Sequence, residues 1–324
     1  MTMPVAFDVH LTPDYSARAL REDARAGLTA DPKWLPPKWF YDARGSELFE
    51  EITRLPEYYP TRAERSILQA RAGELAEHTS ARSLVELGSG SSEKTRLLLD
   101  SLRAHGTLEE FVPLDVSETA LRQAVEAIVS AYPGLRVHAV VGDFTAHLDA
   151  LPGASPRLVA FLGGTIGNLL PEERHAFLSD VRRVLGAGEW LLLGTDLVKS
   201  PETLVRAYDD AAGVTAQFNL NVLHVLNREL GADFPVEDFS HVARWDPENE
   251  WIEMRLRAGR AMTVKLPAID VAVQLAEGEE IRTEISAKFR KERVEDELTR
   301  AGFALDAWWT DEEERFALSL ARAV

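Results

Sequence analysis

The sequence contains no cysteine. Disulfides, thiolate metal sites and a cysteine nucleophile are therefore excluded. It also lacks any apolar run approaching the roughly 18 to 20 residues that a membrane-spanning helix needs. The opening segment, residues 1–18, has no basic start followed by an apolar stretch, so it is not read as a secretory signal. Positive charge is scarce: Lys plus Arg number 36 against 53 Asp plus Glu, a net charge of −17. Such a chain repels phosphate backbones unless it gathers a local basic stripe, and none is evident. The expectation is no nucleic-acid and no membrane partner; a small or cationic ligand suits the field better. The eight histidines are scattered without an H-x-x-x-H pair, so no metal site is expected.

What remains is a chain of 324 residues, 45% hydrophobic and 27% charged. That is ordinary globular composition, and the length suggests two lobes. The first 75 residues read as helices and loops: residues 16–28 form an amphipathic pattern, Leu35-Pro36-Pro37-Lys38 breaks it, and residues 45–55 form a second helix. Pro56-Glu57-Tyr58-Tyr59-Pro60 is a rigid turn, with Thr61 a cap for the next helix. From residue 80, short apolar runs alternate with helical patterns. Strands are expected at 83–87, 111–114, 137–141, 157–162 and 190–195, with helices at 93–105, 118–131 and 171–185. This rhythm predicts a parallel, doubly wound α/β sheet. It breaks over 200–285, where residues 204–230 read as helical and 251–276 as antiparallel strands. A helix at 291–301 and an antiparallel pair at 304–310 and 314–321 close the chain.

The strongest local signal is Val85-Glu86-Leu87-Gly88-Ser89-Gly90-Ser91-Ser92-Glu93-Lys94, between a strand and a helix. Glycines there let the backbone approach a ligand, and helix N–H groups face it. A dinucleotide fingerprint would require a third glycine at position 93. Glu93 instead puts a carboxylate near where a pyrophosphate would lie, so the loop argues for a nucleoside without phosphates. Asp115 closes the second strand of this series, where an acid commonly binds ribose hydroxyls; Asp143 closes the third, beside Phe144. Singly, each Asp reads as a turn or cap residue, but three matches at successive strand ends point to a ligand. Gly163-Gly164-Thr165-Ile166-Gly167-Asn168 follows the fourth strand, and its glycines expose backbone to a bound group. Glu284 and Ser286 are two apart in an alternating run and so share a strand face. A carboxylate and a hydroxyl together can accept from and donate to the two nitrogens of an imidazole. Met254 offers an adaptable apolar wall.

The E-x-G-x-G pattern resembles the first motif of S-adenosylmethionine-dependent methyltransferases. The resemblance narrows with Pro36-Pro37-Lys38-Trp39-Phe40-Tyr41-Asp42, Leu55-Pro56-Glu57-Tyr58-Tyr59-Pro60-Thr61-Arg62 and Thr165-Ile166-Gly167-Asn168-Leu169. It continues with Leu193-Gly194-Thr195-Asp196-Leu197-Val198-Lys199, Arg206-Ala207-Tyr208-Asp209-Asp210 and Thr283-Glu284-Ile285-Ser286-Ala287-Lys288-Phe289. Together these stretches span nearly the whole chain in order, and the chain is similar to the histidine-specific N-α-methyltransferases of ergothioneine biosynthesis. The resemblance implies a Rossmann-like class I methyltransferase sheet (residues 62–197 and 286–324) with a second, smaller α+β substrate lobe (residues 1–61 and 198–285). It further implies that Gly88, Lys94, Asp115, Asp143 and Phe144 contact S-adenosyl-L-methionine. Tyr58, Asn168, Tyr208, Glu284, Ile285 and Ser286 are implied to contact L-histidine, with Tyr41, Gly163 and Met254 completing the pocket. No residue is assigned as a certain acid or base. The implied product is the trimethylated betaine hercynine. A cytoplasmic location is expected, and a monomer, since no apolar seam stands out in the sequence. Three alternatives stay open from the residues alone: methylation of another amine such as tryptophan, a nicotinamide-dependent oxidoreductase, and a silent nucleoside-binding protein.

Overall fold

The computed structural model describes residues 5–90, 92 and 94–324; Ser91 and Glu93 of the glycine loop lie outside the described residues. In chain order, β1 (Val5–Val9) precedes helices α1 (Pro13–Thr29), α2 (Ala43–Ile52) and α3 (Pro60–Thr79). There follow β2 (Ser83–Leu87), α4 (Thr95–His105), β3 (Glu110–Asp115), α5 (Glu118–Ala131), β4 (Arg136–Val141), β5 (Arg157–Phe161), α6 (Pro171–Val184) and β6 (Trp190–Asp196). Next come α7 (Pro201–Tyr208), α8 (Val214–Leu230), β7 (Phe239–Asp246), β8 (Trp251–Ala258), β9 (Met262–Leu266), β10 (Val271–Leu275) and β11 (Glu280–Ala287). The last elements are α9 (Lys291–Arg300), β12 (Phe303–Thr310) and β13 (Phe316–Ala323).

These elements fold as two compact units. One takes residues up to Leu11, Pro60–Val198 and Phe289–Val324; the other takes Thr12–Tyr59 and Lys199–Lys288. The first unit carries an eight-stranded sheet in the order β1-β4-β3-β2-β5-β6-β13-β12. Strands β1 to β6 pair in parallel, while β13 runs antiparallel between β6 and β12. All five residues of β2 are buried, as expected of a parallel strand covered on both faces, which is why it reads as a continuous rather than alternating apolar run. Its core includes Leu84, Leu98, Phe111, Leu158, Leu192 and Leu318, each contributing about 1.5–3 kcal/mol by burial. The chain leaves β2 toward β3 on one side and returns to β5 on the other. That reversal is where open α/β sheets hold ligands, beyond the carboxyl ends of their strands.

The second unit packs α8 against a three-stranded antiparallel sheet, β11-β8-β7, with β9 and β10 as a separate hairpin. Its own core includes Leu28, Phe40, Val222, Leu226, Ile252 and Leu256. Among the described residues no helix is long and apolar enough to cross a membrane, and no group of three His, Asp or Glu side chains could hold a metal ion.

One local expectation is corrected and two are refined. The N-terminal segment is not wholly helix and loop: Val5–Val9 forms a strand parallel to β4 and belongs with the large sheet. Residues 204–230, read as helical, divide into the end of α7 and the whole of α8. Gly213 sits at φ 73°, and the Asp210 carboxylate accepts from the N–H groups of Val214 at 3.0 Å and Thr215 at 2.7 Å, so a new helix starts there. Of the helix expected over residues 93–105, Thr95–His105 is seen, and Glu93 lies outside the described residues.

Candidate active site

The glycine loop is built by the ends of β2 and β3. Gly88 and Ser89 donate their backbone N–H to the Leu114 carbonyl at 2.8 and 3.1 Å. Gly88 (φ 70°) and Gly90 (φ 49°) hold left-handed angles, and a Cβ on either would meet no atom within 4 Å. Glycine is required here by backbone angle, and the space before the loop is open. The Asp115 carboxylate closes the turn: Oδ2 accepts from Gly90 N and Oδ1 from Ser117 N, each at 2.9 Å. A carboxylate has about four acceptor positions, so Asp115 fixes the loop and keeps capacity for a ligand hydroxyl. Burial raises its pKa above the ordinary aspartate value, against the opposing effect of these backbone donors. Glu86 is more extreme. It is buried beneath the loop and accepts from Thr95 Oγ1 at 2.5 Å, and burial pushes its pKa up to about 8.

The polar inventory of this loop suits S-adenosylmethionine. Glu86 Oε2, Ser89 Oγ and Ser92 Oγ are buried without a hydrogen-bond partner among the described residues, and such orphaned atoms call for polar partners. The ribose hydroxyls of that molecule both accept and donate, so they can meet the protonated Glu86 carboxyl and the serine hydroxyls, and it brings no phosphate to oppose the acidic surroundings.

Asp143 lies two residues beyond β4, where Oδ1 accepts from Thr145 N at 2.8 Å and Thr145 Oγ1 at 2.6 Å, an Asx turn. Its neighbour Phe144 packs edge-on against Phe161, 5.0 Å between ring centres, and against Phe177 at 5.5 Å. Beyond β5, Gly163 (φ 79°) and Gly164 (φ 71°) lead into a single 3-10 turn that ends at Asn168.

Sequence reasoning did not single out a buried carboxylate that joins two of these loops. Glu64, on α3, is completely buried. It pairs with Lys94 Nζ through Oε2, and Oε1 accepts the Gly163 N–H at 2.7 Å. One carboxylate thereby ties the residue after the glycine loop to the loop after β5. The room for it comes from Gly194 in β6, where any Cβ would overlap Glu64 Oε1. The signal was visible in principle: Glu64 shares the buried stripe of α3 with Ala63, Ile67 and Leu68, and an acid on an apolar stripe requires a partner.

The second unit collects Tyr41, Tyr58, Tyr208, Met254, Glu284, Ile285 and Ser286. A bulge between Arg282 and Glu284 resets the register of β11, so that Glu284 lies opposite Met254 of β8 and Ser286 opposite Ile252. Glu284 is half-buried and Ser286 buried. The two share a face, while the Ile285 side chain points to the other. Met254 is also part of the hydrophobic core. Tyr58 stands edge-on to Tyr208 at 6.3 Å, and Tyr41 edge-on to Phe49 and Phe218 at 5.6 and 5.5 Å. Tyr208 OH and Ser286 Oγ are hydrogen-bonded at 2.7 Å. The Tyr208 carbonyl meets His241 Nε2 at 2.8 Å. A carbonyl only accepts, so Nε2 carries the proton and Nδ1 accepts from Asn219 Nδ2 at 2.8 Å. Burial lowers the His241 pKa, consistent with a neutral ring. Asn219 also accepts from Thr283 Oγ1 at 2.6 Å, so α8 fixes both Tyr208 and the strand that carries Glu284.

A parallel sheet with a glycine loop after β2, acids after β3 and β4, and an antiparallel closing pair defines a class I methyltransferase. The comparisons narrow that class. A model of the histidine-specific, S-adenosylmethionine-dependent methyltransferases matches residues 20–323. The chain is 56% identical over 319 residues to a histidine N-α-methyltransferase of Mycolicibacterium smegmatis, covering 98% of this chain and 99% of that one. It is 55% identical, with the same coverage, to a histidine N-α-methyltransferase of Mycobacterium tuberculosis. Ergothioneine biosynthesis protein 1 of Neurospora crassa is 31% identical over 86% of this chain and 32% of its own length. The chain belongs to the family of histidine-specific, S-adenosylmethionine-dependent methyltransferases.

Proposed function

We propose that this enzyme transfers methyl groups from S-adenosyl-L-methionine to the α-amino nitrogen of free L-histidine, successively to trimethylhistidine (hercynine), the first step of ergothioneine biosynthesis. The observation that carries the substrate is the Glu284–Met254 pair on adjacent strands with Ser286 on the same face: an acceptor, an apolar wall and a hydroxyl, matched to an imidazole.

When bound, S-adenosylmethionine supplies an electrophilic methyl on a cationic sulfur. Gly88, Asp115, Asp143 and Phe144 hold it, and Lys94 contributes while anchored by Glu64. Tyr58, Asn168, Tyr208, Glu284, Ser286 and the backbone of Ile285 hold histidine, with Tyr41, Gly163 and Met254 around them. The amine must be unprotonated to react, and its proton leaves to water; Tyr41, 39% exposed, is a polar partner at a wet position. No strong base is required, because holding nucleophile and electrophile in line supplies up to roughly 7–11 kcal/mol. Tyrosine rings, Asn168 and backbone oxygens tolerate the growing positive charge of the product without opposing it. In this reading the protein acts as a cytoplasmic monomer on a small molecule, without nucleic-acid or membrane partners. The −17 net charge supports the exclusion of nucleic acid.

The test is mass spectrometry of the protein incubated with S-adenosylmethionine and all twenty free amino acids. Successive additions of one, two and three methyl groups to histidine alone are expected. Methylation of tryptophan or another amino acid instead would overturn the roles of Glu284 and Ser286.

A further inference from the structure

Lys288, at the end of β11, is fully buried, and its ammonium donates to Ser286 Oγ at 2.8 Å and to Tyr208 OH at 2.9 Å. With the 2.7 Å contact between the two hydroxyls, the three groups form a closed triangle. A lysine ammonium has only protons to offer, so each hydroxyl oxygen accepts one bond from it. A single proton can lie between Tyr208 and Ser286. The phenol is the stronger donor of the two, so that proton belongs to Tyr208. Ser286 then accepts twice, from Lys288 and from Tyr208. Both of its lone pairs are used, and its own proton must point away from the triangle.

We infer that Lys288 is a positioning residue that sets the hydrogen-bond polarity of Ser286, making it a donor toward the substrate. The inference rests on the histidine reading of this site. Glu284, two residues away on the same strand face, is acceptor-only when ionised. An obligate donor beside an obligate acceptor selects a ring with one bare nitrogen and one N–H. That is a neutral imidazole in a single tautomer. It discriminates against an imidazolium, which has no bare nitrogen, and against five-membered rings that replace that nitrogen with C–H. Without Lys288, Ser286 could turn its proton to Tyr208, and the discrimination would be lost.

The experiment compares histidine with pyrrol-2-ylalanine and pyrrol-3-ylalanine, which keep one ring N–H and replace the other nitrogen by C–H. Competition against histidine methylation gives their affinities in the wild type, in Lys288→Met, in Ser286→Ala and in the double variant. Lys288→Met is expected to raise the histidine KM about tenfold, one hydrogen bond's worth, while leaving pyrrolylalanine affinity within about threefold. In the Ser286→Ala background the same change is expected to move the histidine KM by less than about threefold. S-adenosylmethionine affinity, measured by calorimetry, should hold in each variant and serves as the check on folding. Equal loss for histidine and both pyrroles, or a full tenfold effect of Lys288→Met without Ser286, would overturn the role of Lys288. If Lys288→Met does not fold, Lys288→Gln is used under the same criteria. A wild type that does not methylate histidine would instead sink the underlying substrate reading.

Discussion

Gly194 and Glu64 should be energetically inseparable. Gly194 sits in mid-strand on β6, and its missing side chain is the space that Glu64 Oε1 occupies; Phe316 lies against the same point at 3.3 Å. Glu64 cannot move aside, since Gly163 N and Lys94 hold its two oxygens. Gly194→Ala is therefore expected to cost about 1–3 kcal/mol by overpacking. Glu64→Ala strands the Lys94 ammonium, which costs about 3–5 kcal/mol for a buried pair, and the lower end applies because Lys94 keeps 24% of its side-chain exposure. In the double variant the collision is gone, and alanine is better than glycine in a strand interior by about 0.5–1 kcal/mol. The second substitution should then be neutral to favourable by up to about 1 kcal/mol, giving a coupling of about 1–4 kcal/mol. Urea unfolding of the four proteins, extrapolated linearly to water, measures this. Costs that add to within about 0.5 kcal/mol, the behaviour of independent sites, would refute the packing argument.

Glu284→Ala is expected to raise the histidine KM roughly 10- to 150-fold, from the loss of a charged hydrogen bond of about 1.5–3 kcal/mol; unchanged histidine kinetics would remove Glu284 from the site. Asp115→Ala should weaken S-adenosylmethionine binding in calorimetry and also cost about 1–3 kcal/mol of stability, because Gly90 N and Ser117 N lose their acceptor. Intact cofactor affinity would contradict the assignment. Glu86 makes stability depend on pH. It stays protonated in the folded protein up to about 8 but ionises near 4.5 when unfolded, so the unfolded chain sheds its proton first. Its contribution is fully present below about 4.5 and falls by about 1.4 kcal/mol per pH unit until about 8. Stability curves of the wild type and Glu86→Gln should diverge over that window, and parallel curves would show that Glu86 is not protonated in the folded state.

Much of the loop at the ends of β2 and β3 was legible because its backbone demands are written in residue type. Gly88 and Gly90 are glycines for their angles, and Asp115 directly follows an apolar run, so local pattern and proposed site mark the same positions. Strands β2 to β6 were legible for the same reason, as apolar runs punctuated by turns. The strand Val5–Val9 was not: its five residues carry no periodicity of their own, and only the partner β4 makes them a strand. Glu64 and Lys288 escaped because their meaning is tertiary. Each is an ordinary charged residue until burial and specific partners are known. The shared face of Glu284 and Ser286 follows from their spacing alone, whereas the pairing of Glu284 with Met254 depends on a bulge that leaves no mark in the sequence.

The place of β13 in the sheet governs how this protein can be made. The strand is made after β12, yet it lies between β6 and β12, and six of its eight residues are buried in one unbroken run. Every segment of the second unit has been made once residue 288 is reached, but the sheet of the first still lacks residues 289–324. At about 5–20 residues per second, that leaves several seconds in which β6 has one edge open and a continuous apolar surface beside it. A nascent chain in that state is a template for strand addition from outside. Loss of Phe316–Ala323 would make the interval permanent, so β13 closes the sheet rather than merely extending it.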